Sequence, residues 1–326
     1  MLGNKKLFVG LAALFSVLVL GMASCGGDDD SGADADSGEP KKVVFSVYSD
    51  EPVLVPAVIK GLEERAAEKG WDFTALVGDY DPAAQVAQIE NALAQQPDGL
   101  IIWSPDPEAP VPVARQAAEQ GARVLTMGAD LGQVDAREAY VGPDYVEIGA
   151  EKAEALVELM GGEGKLGVIH GIQGADFTEK MSAGGDPVFE AADGIELVDT
   201  QYAGAYTTEA GLETAENMIT ANPDITGIWT DNDDQAFGVN QVLEAHDLLD
   251  QVIVASTGGY GGLEEVRAGR IAFTHALCGV EDGFIAIDAL ESLFNGETLP
   301  DRVATNVVVV TPDNVEEEIP NLEDCD

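Results

Sequence analysis

From residue 43 onward the chain alternates short apolar runs with amphipathic stretches, and this alternation restricts the fold more than any other feature. "VVFSVY" (43–48), "WDFTALV" (71–77), "GLIIW" (99–103) and "ARVLTM" (122–127) are rich in β-branched and aromatic residues. Each is followed by a segment with helical spacing. "DPAAQVAQIENALAQQ" (81–96) is the clearest, with Asp81 as N-cap, Pro82 in the first turn, and Val86, Ile89 and Leu93 on one face. After "AYVG" (139–142) and a helix from about Tyr145 to Met160 the pattern restarts. Strands are expected at "KLGVIH", "IELVDTQY", "TGIWT", "QVIVAS", "IAFTHAL" and "NVVVV", with helices between them. The helical stretch near 178–192 is expected to break around Gly184-Gly185. Continuous apolar strands separated by helices mean parallel sheets covered on both faces. The fold class is therefore α/β, with two doubly wound parallel-sheet lobes better suited to the strand count than one very wide sheet. In such sheets ligands bind beyond the carboxyl ends of the strands, which here means the cleft between the lobes.

The N-terminus reads as an export signal. Lys5 and Lys6 precede an apolar run from Leu7 to Leu20, short for a membrane span. Met22-Ala23-Ser24-Cys25 resembles a bacterial lipobox, which would make Cys25 the lipidated N-terminus of the mature protein; an uncleaved anchor helix is the alternative. On either reading the body is extracytoplasmic and tethered to the cell membrane. Residues 25–40 are then an acidic flexible stalk, too polar to bury anything.

The formal net charge is −44, and without residues 1–24 the chain has 60 acids against 14 bases. Nucleic acid is disfavoured as a partner, because phosphate binding needs a basic stripe that is missing. The acids are spread along the whole body, which favours adaptation to high salt over a cation-attracting function. Of the remaining cysteines, Cys278 and Cys325 form an even pair in an exported protein. They are expected to staple the C-terminal tail to the body, two free thiols being the alternative.

Several segments together resemble a family. "PAVIKGLEERAAEKGW", "DPAAQVAQIENALAQQPDGLIIWSPDPEA", "YVGPDYVEIGAEKA", "WTDNDDQAFGVNQVLEA" and "VVVVTPDNVEEE" occur in an order and spacing similar to the type I periplasmic binding proteins, close to the ribose/galactose-type receptors of ABC importers. The resemblance implies three crossovers, a first lobe of about 41–141 plus 276–304, and a second of 142–275 plus 305–326. It also implies a monomer that delivers a small molecule to an ABC permease without a cofactor or metal. A sensor subunit for a membrane kinase or chemoreceptor is the competing function on the same fold.

Strand ends read as cleft positions are rich in oxygen acceptors: Asp50, Glu51, Ser104, Asp106, Asp130, Asp176, Asp231, Asn232 and Thr257, with Trp103 as a stacking face. Asn232 and Asp106 match ligand positions of the family. Departures are as informative. Pro52, Val53 and Leu54 stand where such receptors place aromatics, Met181 falls where they carry an arginine, and Thr257 and Ala276 replace a late aspartate and glutamine. No cation falls at a strand's carboxyl end, so the expected ligand is a neutral polyhydroxylated molecule, with a cationic amine as alternative. Catalysis is not expected. Asp231 and Asp233 are neighbours in one turn, His170, His246 and His275 lack metal-ligand spacing, and no nucleophile elbow or phosphate loop is present.

Overall fold

The computed structural model describes residues 39–322 and Cys325. The signal segment, Cys25 and all of the stalk before Glu39 lie outside the described residues. The elements run in the order β1 (Lys42–Val47), α1 (Leu54–Glu68), β2 (Asp72–Val77), α2 (Pro82–Leu93), β3 (Gly99–Trp103), α3 (Val111–Glu119), β4 (Arg123–Met127) and β5 (Ala139–Val141). They continue with α4 (Tyr145–Leu159), β6 (Gly164–His170), α5 (Asp176–Ala191), β7 (Ile195–Tyr202), α6 (Thr208–Ala221), β8 (Gly227–Thr230), α7 (Asp233–Ala245), β9 (Ile253–Gly258), α8 (Tyr260–Arg267) and β10 (Phe273–Leu277). The chain closes with α9 (Gly279–Phe294), β11 (Arg302–Val303), β12 (Val307–Val310) and α10 (Val315–Leu322).

Two six-stranded sheets result, ordered β11-β5-β4-β3-β1-β2 and β12-β10-β9-β8-β6-β7. Every pairing is parallel except β10 with the edge strand β12. The chain passes between the sheets three times, after β5, after β10 and after β11. The central strands β3 and β8 are buried at every position, as parallel strands with helices on both faces must be.

Helix α5 differs from expectation. It runs unbroken through Gly184, Gly185 and Pro187. The glycines are sites of close approach: a Cβ on Gly184 would lie 2.0 Å from the Val146 carbonyl oxygen, and one on Gly149 would lie 2.3 Å from that of Met181. Helices α4 and α5 therefore touch backbone to backbone, which outweighs glycine's poor helix propensity.

Cys278, the N-cap of α9, is joined to Cys325 by a disulfide with a Cα–Cα distance of 4.8 Å. Both cysteines are buried in the apolar core of the second sheet. The bridge thus ties the tail to the segment where the chain leaves β10 for the first sheet.

Candidate functional site

A narrow cleft of about 70 Å³, partly open to solvent, lies where the carboxyl ends of the two sheets face each other. The loops after β1, β3 and β4 supply one wall: Tyr48, Pro52, Val53, Trp103, Pro105, Gly128 and Ala129. The loops after β6–β9 and the start of α4 supply the other, including Tyr145, Phe177, Tyr206, Asn232, Asp233, Asp234 and Thr257.

Five aromatic rings line this cleft in a connected series. Trp103 meets Tyr48 edge-on with centroids 5.9 Å apart, and Tyr48 meets Tyr206 across the cleft at 6.2 Å. Phe177 lies 5.7 Å from Tyr206 and 4.6 Å from Tyr145. In each edge-to-face contact one ring's edge rests on its neighbour's face, and Tyr48, Trp103, Tyr145 and Tyr206 are buried side chains. Gly128 makes room for Trp103. Its φ of +66° suits glycine, and a Cβ there would lie 2.2 Å from the indole.

Of the expected ligand residues, the structure brings Trp103, Asn232 and Thr257 to the cleft wall. Asn232 is also the N-cap of α7, in a reciprocal box with Gln235. Its Nδ2 donates to the Tyr206 carbonyl and to Asp234 Oδ2, both at 3.1 Å. Thr257 Oγ1 accepts from Lys152 Nζ at 3.1 Å.

The other seven stand back from the wall. Asp50 and Glu51 are solvent-exposed. Ser104 Oγ accepts from the Asp106 amide, and Asp106 Oδ1 accepts from the Glu108 and Ala109 amides, closing the turn before α3. Asp130 is gripped by the Arg137 guanidinium at 2.6 and 2.9 Å. Burial is the largest single influence and would raise its carboxyl, but the Arg137 fork with the Thr126 hydroxyl and the Leu131 amide together hold it below the usual range. Asp176 pairs with Lys180 and accepts the Asp130 amide, both at 2.8 Å.

Asp231 is fully buried and accepts from Trp229 Nε1, the Gly171 amide, Thr178 Oγ1 and His170 Nδ1 within 2.8–3.2 Å. Desolvation is the largest single influence and pushes its carboxyl up, but the hydrogen bond and charge of His170, the Lys152 charge and the Gly171 amide together hold it low. It fixes the loops after β6 and β8 beneath the cleft floor.

Sequence reasoning passed over Tyr48, Tyr145, Phe177, Tyr206 and Asp234. Tyr48 ends the first apolar run, so an aromatic at a strand's carboxyl end was a usable signal there. Asp234 is 8% exposed and accepts from the Val53 amide, across the cleft, at 3.3 Å. Burial, opposed by that bond and reinforced by neighbouring Asp233, pushes its carboxyl up to about 7. Asp233, also held up by burial, is bonded to Ser256, Thr274 and the Gly259 amide.

Behind this wall Lys152 is completely buried, its ammonium 4.0 Å from the Trp229 ring centroid and pushed down to about 7 by desolvation. Among the described residues no group of three or more His, Cys, Asp or Glu is placed to hold a metal ion.

Known proteins are similar to this chain over most of its length. A xylitol-binding protein of Mycolicibacterium smegmatis is 24% identical over 309 residues, covering 94% of this chain and 86% of that protein. A ribose import binding protein of Bacillus subtilis is 23% identical over 254 residues, covering 77% and 81%. Among solved structures, a periplasmic ribose ABC transporter protein of Conexibacter woesei is 32% identical with a TM-score of 0.76, covering 88% of this chain and 97% of that one. An ABC transporter solute binding protein of Bacillus halodurans with bound myo-inositol is 26% identical with a TM-score of 0.80, covering 87% and 98%. The model of the periplasmic binding protein domain matches residues 43–298, and the chain belongs to that family.

Proposed function

We propose that this protein is the extracytoplasmic receptor of an ABC importer, held to the membrane by a lipid on Cys25, and that it closes two lobes on a small sugar or polyol. The lobes are about residues 41–141 plus 276–304 and about residues 142–275 plus 305–326, with Ala276 and Leu277 at the boundary still paired in the second sheet. The carrying observation is an aromatic-lined cleft between two sheets, crossed by the Val53–Asp234 bond and the Tyr48–Tyr206 contact. Aromatic faces stack on the apolar face of a ring, and the relatives named above bind xylitol, ribose and myo-inositol.

Ligand contacts made to both walls exist only when the lobes are together. Differential affinity for that state is what drives closure about the three crossovers. The closed receptor then presents its rims to the permease. None of the acids around the cleft is needed as a catalyst in this account. Asp130 and Asp231 are spent on structural bonds, and Asp233 is bonded to hydroxyls and an amide.

Two measurements test the reading. Calorimetric titration of the full chain with pentoses, hexoses, alditols and cyclitols should give micromolar or tighter binding for one class. Fatty-acid labelling in a bacterial host should be lost in Cys25→Ser. Absence of binding by every class, or labelling that survives Cys25→Ser, contradicts the corresponding half of the proposal.

A further inference from the structure

The two cleft walls offer a ligand very different chemistry. The wall from the first sheet is aromatic, aliphatic, proline and glycine, with no charged side chain. On the opposite wall most polar groups are already engaged. Asn232 is bonded through Oδ1 to the Gln235 amide and through Nδ2 to Tyr206 and Asp234. Asp233 accepts from two hydroxyls and an amide, and Thr257 accepts from Lys152.

Asp234 differs from these. Its Oδ2 accepts from the Val53 amide and from Asn232 Nδ2, and among the described residues it forms no ion pair. Among the described residues no lysine or arginine lines the cleft. Lys152, the cation behind this wall, is sealed against Trp229 and Thr257. A buried carboxylate without a cation is costly, and five aromatic rings line the same cleft.

We propose that the ligand is an aminated sugar or polyol whose ammonium sits against Asp234 among the aromatic rings. The inference rests on the sugar or polyol reading above and narrows it. A neutral polyol is recognised by several free donors and acceptors on both walls, because each buried hydroxyl left unpaired costs affinity. Here the one charged side chain on the wall without an ion pair or hydroxyl partner is the Asp234 carboxylate, and it shares the cleft with five aromatic rings. Both favour a cation: the carboxylate by charge-assisted hydrogen bonding, the rings through their quadrupoles. The upward push on the Asp234 carboxyl agrees with a site that lacks its counter-charge until the ligand arrives.

The test is calorimetric titration of the full chain with matched pairs: D-glucosamine and D-glucose, D-galactosamine and D-galactose, and an aminocyclitol with myo-inositol. The amine of at least one pair should bind tenfold or more tightly than its hydroxyl parent. N-acetylation, which removes the charge, should abolish that preference, as should Asp234→Asn in a protein with an unchanged unfolding midpoint. Should Asp234→Asn fail to fold, the N-acetyl comparison on the unaltered protein decides alone. A hydroxyl parent that binds as well as its amine overturns the inference and leaves the receptor reading standing. A preference that survives N-acetylation, or survives in folded Asp234→Asn, also overturns it. No binding by any of the amines overturns the inference, and the receptor reading falls with it only if the pentoses, hexoses, alditols and cyclitols all fail to bind as well.

Discussion

The backbone amide of Asp130 donates to Asp176 Oδ2 at 2.8 Å, joining the loop after β4 in the first sheet to the first turn of α5 on the second. Each partner is braced from its own side, Asp130 by Arg137 and Asp176 by Lys180. A bond that exists only with the lobes together stabilises the closed state without touching a ligand. Asp176→Ala is therefore expected to weaken ligand binding about three- to tenfold, the value of about 1 kcal/mol for one such bond. Global stability should change little. Titration of the variant checks this, and an unchanged dissociation constant would contradict it.

Asp231 gathers four donors from three separate stretches of chain. Asp231→Ala leaves the Gly171 amide, the Thr178 hydroxyl, the Trp229 indole and His170 without their acceptor. Loss of about 3–5 kcal/mol is expected from breaking such a buried network. Urea unfolding would measure it, and a loss below about 1 kcal/mol would show the network to be dispensable.

The disulfide closes a loop with a sequence separation of 47 residues. The chain-entropy argument gives about 4 kcal/mol for a loop of that size. Cys278→Ser with Cys325→Ser should lower the guanidinium midpoint accordingly and free the tail to limited proteolysis. A tail as protected as before would contradict the role assigned to the bridge.

Asp282, in the first turn of α9 beside a crossover, is 6% exposed, and its carboxyl is pushed up to about 8, chiefly by burial. The unfolded chain gives up that proton near the ordinary value of 3.8, while the folded chain keeps it until about 8. The contribution to stability is thus complete below pH 3.8 and lost as pH rises through 8. Asparagine stays neutral throughout. Asp282→Asn should therefore gain on the unaltered protein by about 1.4 kcal/mol per pH unit across that window, read from unfolding midpoints at pH 4, 6, 8 and 9. Parallel curves would refute it.

Much of this architecture could be read from residue order. Parallel strands buried on both faces leave uninterrupted apolar runs, so "GLIIW" and "TGIWT" mark central strands without ambiguity. Gly184-Gly185 misled, because glycine signals a break unless a neighbouring backbone is close enough to require it, and the partner Val146 lies in another helix. The cleft was legible as a place and less so as a surface. Position at a strand's carboxyl end says that Asp130 and Asp231 are near the site. It does not say that Arg137 and His170 arrive there to occupy them. The aromatic wall is harder to read: Tyr48 directly follows β1, but Tyr206 lies four residues beyond β7 and Tyr145 and Phe177 stand in first helical turns, so no one strand-end rule gathers them.

The most direct test of the receptor account is thermal unfolding of the full chain against sugars, alditols, cyclitols and their aminated forms, repeated with Trp103→Ala. A ligand at a thousandfold over its dissociation constant adds about 4 kcal/mol to the folded state. The account predicts a raised midpoint for at least one compound and loss of that shift in a folded Trp103→Ala protein. A silent panel, or a shift that Trp103→Ala leaves intact, would place the solute elsewhere or deny that there is one.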